Sequence, residues 1–189
     1  IMKSPHCFIV KPIGGRRYDN LKKIGGVDFI TSSSKEDHTV SNRFAEVIET
    51  PLRYSGDIQV GDTLVVHHNA FKFYNDMQGR ERSGRSFFKE DLFLIDEDQY
   101  FAHSHNGVWK SREKYCFVKP IPPKKYTIDK AIKEEELVGV LKYGNKFLSS
   151  MGVNEGDEIG FVPDSEYEFK IDGDFIESQA FGYLAIRSF

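Results

Sequence analysis

Apolar positions along this chain come in short runs, each closed by proline, glycine or acidic residues, and that pattern predicts strands rather than helices. Cys7 to Lys11 is a continuous apolar run stopped by Pro12, which has no N–H to donate to a ladder. Gly14 to His38 is polar, with Gly-Gly at 14 and 15 and again at 25 and 26, and predicts a long mobile excursion. Extended structure resumes at Phe44, Val47 and Ile48. Val60-Gly61-Asp62 then reads as a tight turn feeding the strand Thr63 to Val66. Phe71 to Tyr74 alternates with period two, Asn75 to Arg85 forms a charged hairpin tip, and Phe87-Phe88 and Leu92 to Ile95 are further strands. Asp96-Glu97-Asp98 closes the last of these, Tyr100 to Ala102 ends the module, and His103 to Lys114 reads as a linker. Beyond it, Tyr115 to Lys119, Leu137 to Leu141, Glu158 to Val162, Glu166 to Ile171 and Phe181 to Ile186 are strand-like, and only Thr127 to Glu136 looks briefly helical.

The second half repeats the first. Phe8-Ile9-Val10-Lys11-Pro12-Ile13 is echoed by Cys116-Phe117-Val118-Lys119-Pro120-Ile121, which aligns Lys11 with Lys119. Phe44 to Ile48 matches Leu137 to Leu141, and Val60 to Val66 matches Glu155 to Phe161. Three landmarks in one order imply a tandem duplication, with a first domain at 1–105 and a second at 106–189. Spacing differs between the copies: the stretch from Ile13 to Phe44 is nearly twice as long as that from Ile121 to Leu137. The second copy therefore lacks the long loop (14–38), and long loops on rigid scaffolds carry function.

Composition narrows the field. With 39% hydrophobic residues among 189 there is material for two cores, and a net charge of −3 gives no electrostatic case for nucleic acid or a membrane surface as partner. Cys7 and Cys116 fall in or beside equivalent opening strands, where a buried apolar role is expected rather than a disulfide. No apolar run approaches the roughly 20 residues a helical membrane span needs, and the first residues lack a secretory layout. A soluble, non-exported protein is expected.

The Val-Lys-Pro strand, the Gly-Gly-led loop, the Glu46-Val47-Ile48 strand, the Val60-Gly61-Asp62-Thr63-Leu64-Val65-Val66 turn and strand, and the Asp91-to-Ala102 segment occur in one order. In that order they resemble the chaperonin-10 (GroES-like) co-chaperonin family. Residues 6–102 resemble it throughout, and 114–187 resemble its barrel without its loop. The resemblance implies an all-β protein of two tandem GroES-like small β-barrels, the first with a long loop. It implies a non-enzymatic homo-oligomer that engages a chaperonin-60 ring through Gly25, Gly26, Val27, Phe29 and Ile30, with Asp28 interrupting the apolar motif. Such a protein would work in a bacterial or phage-infected cytoplasm. The alternative is a structural component of a virion or similar assembly, with the loop as an arm on a neighbouring subunit.

Other candidates are weighed beside that reading. His67-His68 and His103-Ser104-His105 are zinc-ligating types, but neighbouring residues of a strand face opposite ways, so surface or interface histidines are expected and no metal. The tip Arg80 to Arg85 is locally basic and is read as solvated. Trp109, between the modules, is expected to be an inter-domain packing anchor. No nucleophile elbow, phosphate loop, dinucleotide fingerprint or Cys-x-x-Cys is present, so neither enzyme activity nor a cofactor is expected.

Overall fold

The computed structural model describes residues 2–18, 21–24, 27–30, 41–121, 137–161, 166–169, 171 and 183–187. It is mostly β-structure, divided into two compact units, Ile1–Asn106 and Gly107–Phe189. In the first unit β1 (Phe8–Pro12) runs into a 3₁₀ turn (Ile13–Gly15), followed by β2 (Leu21–Ile24), β3 (Val27–Ile30), β4 (Phe44–Glu49) and β5 (Thr63–Val66). Then come β6 (Phe73–Asn75), β7 (Glu81–Ser83), β8 (Phe87–Lys89), β9 (Leu92–Ile95) and β10 (Tyr100–His105). The second unit holds β11 (Val108–Ser111), β12 (Tyr115–Pro120), β13 (Val138–Tyr143), helix α1 (Lys146–Ser150), β14 (Glu158–Gly160), β15 (Glu166–Phe169) and β16 (Tyr183–Arg187).

The main sheet of the first unit runs β10-β5-β4-β1-β9-β8, and that of the second runs β14-β13-β12-β16-β15. Five strands of each stand in the same order. The match reaches individual residues. Ile9 pairs with Glu49 but Val10 with Val47, leaving Ile48 as a bulge; Phe117 pairs with Tyr143 but Val118 with Leu141, leaving Lys142 as a bulge. The turn before the third strand is also repeated: the Gly61 N–H donates to the Val47 carbonyl and the Gly156 N–H to the Leu141 carbonyl, both at 2.8 Å. Gly61 at φ +91° and Gly156 at φ +96° occupy a region that other residues enter only with strain.

This register corrects the pairing of Phe44–Ile48 with Leu137–Leu141 by one residue. Val47, not Ile48, is the counterpart of Leu141, and Ala45 that of Gly139. Matching apolar letters misled because the bulge residue is apolar in one copy and charged in the other. In a period-two element such a slip exchanges the two faces.

Burial follows the corrected register. Phe8, Val10, Ala45, Val47, Leu64, Val66, Phe93 and Ile95 form the first core, closed by Phe71 and Tyr100. Cys116, Val118, Leu141 and Phe161 form a smaller one, with Leu148 of α1 packed against it. Among the described residues no sheet closes on itself. Two further expectations change. The segment read as a linker is strand at both ends, β10 and β11, around the Asn106-Gly107 turn. Helix α1, capped where the Asn145 side chain accepts the Leu148 N–H at 2.9 Å, lay unforeseen between the strands expected at Leu137 to Leu141 and Glu158 to Val162. The helix expected at Thr127 to Glu136 lies outside the described residues.

Candidate partner-binding site

The excursion between β1 and β4 is not irregular throughout. Leu21–Ile24 and Val27–Ile30 form an antiparallel pair in which Ile24 pairs with Val27, Lys22 with Phe29 and Leu21 with Ile30. This pair is a two-stranded sheet of its own. Of the expected contact residues, Val27, Phe29 and Ile30 therefore share one strand, while Gly25 and Gly26 lie outside the described residues.

Its neck is closely tied. Asn42 is buried, and its side-chain amide donates to the carbonyls of Ile13 at 2.9 Å and Arg16 at 2.8 Å while its oxygen accepts the Phe44 N–H at 3.0 Å. The Asn42 N–H donates to the Arg17 carbonyl at 3.0 Å, and Tyr18 bridges to Ser41. One amide side chain thus joins both ends of the excursion, satisfying carbonyls that a sharp departure from the sheet would otherwise orphan.

Beside the neck, the Arg17 guanidinium stands 4.0 Å from the ring centre of Phe73, 4.9 Å from Phe87 and 4.8 Å from Phe93, and its Nη1 donates to Ser83 Oγ at 3.0 Å. Burial pulls its pKa below the ordinary arginine value, and nearby Tyr18 and Glu81 oppose that shift. Tyr18 stacks on Phe73, ring centres 6.2 Å apart, and its hydroxyl oxygen accepts the Phe73 N–H at 2.9 Å. β6 and β7 form a second independent two-stranded sheet. Its base is fixed where the Gly84 N–H donates to the Lys72 carbonyl at 3.0 Å; a Cβ at Gly84 would meet that oxygen at 2.9 Å, so the approach requires glycine.

At the tip of this hairpin Asp76 accepts the N–H groups of Gln78 and Arg80, both at 2.9 Å, and Arg82 Nε at 3.2 Å. The Arg80 backbone bond, above all, holds the Asp76 carboxyl below its usual range. Two of the arginines that make the tip basic are therefore engaged with one carboxylate.

His67 and His68 rings are 4.1 Å apart, and His67 Nδ1 accepts the Asn69 N–H at 3.3 Å; burial, then the charge of Arg43, lowers the His67 pKa. His105 Nδ1 donates to buried Asp62 at 2.6 Å. Among the described residues no three His, Cys, Asp or Glu side chains stand together in a way that holds a metal ion. Cys7 is half-buried and its thiol donates to Asp96 at 2.8 Å, while Cys116 is buried; burial pushes the Cys7 thiol pKa up. Trp109 stands in β11, its ring 6.5 Å from Tyr143 of the same unit. No described helix is long and apolar enough to cross a membrane.

The neck residues Arg17, Tyr18 and Asn42 escaped sequence reasoning, because the aromatic partners of the first two lie far along the chain, in β6, β8 and β9. No family model, curated protein or solved structure matches the chain.

Proposed function

We propose that this chain is a non-enzymatic, co-chaperonin-like protein of two GroES-like modules that assembles into an oligomer and grips a chaperonin-60 ring through its first module. Gly25, Gly26, Val27, Phe29 and Ile30 are the gripping residues. The observation that carries this reading is the β2–β3 hairpin itself: a self-paired element outside the main sheet, joined by Gly-Gly and apolar at three of four β3 positions, on a tied neck. Such a hairpin presents a short strand to a groove on a larger partner, and the ordering entropy it gives up on docking keeps the grip reversible. The repeated strand order supports a duplicated module.

The test is binding to a chaperonin-60 ring with and without nucleotide, alongside the triple variant Val27→Ser, Phe29→Ser, Ile30→Ser. Nucleotide-dependent binding, abolished by the triple substitution, is expected. A wild-type chain that ignores the ring and is instead recovered at fixed stoichiometry in purified virus particles would replace this reading by the structural one.

A further inference from the structure

Arg17 serves several elements at once. Its guanidinium lies over Phe73 of β6, Phe87 of β8 and Phe93 of β9 while its Nη1 reaches Ser83 of β7. Tyr18 adds a stack on Phe73 and a hydroxyl that accepts the Phe73 N–H. The first stem of the excursion is thereby fastened to both strands of the β6–β7 hairpin. Among the described residues neither β2–β3 nor β6–β7 is laddered to a third strand. A two-stranded hairpin is marginal alone in water, so each draws order from whatever holds its base. Arg17 and Tyr18 hold the base of β6–β7 and stand just before β2 in the chain, and a planar guanidinium stacked on rings keeps its geometry in a way an ammonium does not.

We propose that Arg17 and Tyr18 are positioning residues that make the β2–β3 and β6–β7 hairpins one cooperative unit, so that ordering either hairpin orders the other. In function, which rests on the reading above, docking of β2–β3 stiffens β6–β7 and its Asp76-organised tip. The coupling itself does not depend on that reading.

Amide hydrogen exchange on the free full-length chain tests it. Arg17→Ala is expected to speed exchange about tenfold, in both 21–30 and 73–83 together, with β1, β4 and β9 unchanged. Tyr18→Phe, which keeps the stack but removes the acceptor, has the same pattern at smaller size, and Arg17→Lys restores only part of the protection. Phe73→Ala must loosen β2–β3 although it lies in the other hairpin. The proposal is overturned if Phe73→Ala affects β6–β7 alone, or if Arg17→Ala loosens the main sheet equally, which a merely structural arginine would do. Adding a chaperonin ring separates the two claims. A ring that protects 21–30 but leaves 73–83 unchanged refutes the coupling and keeps the function, whereas coupled exchange in a chain that binds no ring keeps the coupling and refutes the function.

Discussion

Asp62 and Asp157 occupy the same turn in the two units, so each serves as the other's control. Asp62 accepts the Gln59 N–H at 2.8 Å, and Asp157 accepts the Asn154 N–H at 2.7 Å. Among the described residues only Asp62 has a second partner, His105 Nδ1 at 2.6 Å, and its side chain is 4% exposed against 46% for the histidine. A hydrogen bond to a charged group contributes about 1.5–3 kcal/mol when buried, and an exposed partner places it at the lower end. Asp62→Ala should therefore cost about 2–3 kcal/mol, and Asp157→Ala, whose turn is open to water, about 0.5–1 kcal/mol. His105→Ala should cost about 1 kcal/mol in the native background and almost nothing once Asp62 is alanine. Urea unfolding of these variants near neutral pH, with the Asp62 and His105 changes analysed as a double-mutant cycle, gives the differences. Equal costs at the two aspartates, or a coupling below about 0.3 kcal/mol, would show that the turn rather than the buried pair carries the stability.

Two further outcomes follow from burial. Leu141→Ala should cost about 2–5 kcal/mol and Val47→Ala, at the same register position, roughly half as much, since fewer buried methyls are lost from a larger cluster; chemical denaturation that ranks them the other way would contradict the corrected register. His67 is held below the usual imidazole value of 6.5, so the unfolded chain takes up a proton first. The stability tied to its neutral form is complete above about pH 6.5 and is lost as pH falls through that value towards the lower folded one. His67→Gln should flatten this decline in unfolding midpoints measured from neutral pH to about pH 5, and an unchanged slope would exonerate His67.

Much of the frame was legible from residues alone, for identifiable reasons. Continuous apolar runs such as Phe8-Ile9-Val10 and Leu64-Val65-Val66 are buried along their length, and Gly61 and Gly156 announced a turn only glycine makes easily. What failed was local compensation. Ile48 bulges, so its hydrophobicity says nothing about the core face, and its counterpart Lys142 shows that the position tolerates charge. His103 and Ser104 are buried despite polar side chains, which hid the second half of β10 inside an expected linker. Arg17 reads as a solvated charge in any local window; only the fold brings three phenylalanines to it.

The corrected register also locates where the copies diverged. The connection from Pro12 to Ala45 is more than half as long again as its counterpart from Pro120 to Gly139. The connection from the third strand to the fifth is nearly conserved, since Leu64 to Phe93 exceeds Ile159 to Leu184 by only a few positions. Loop length alone is thermodynamically cheap, since doubling a flexible loop costs only about 0.6 kcal/mol, so stability does not explain why one connection differs so much more than the other. The longer one carries a paired hairpin and a neck, with Asn42 bound to both ends of the excursion and Arg17 seated on rings from β6, β8 and β9. A segment of drifting length needs no such fastening. An element that must be presented at a fixed place on the first unit does, and this is why the functional proposal rests on the first unit's excursion and not on the duplicated sheet beneath it.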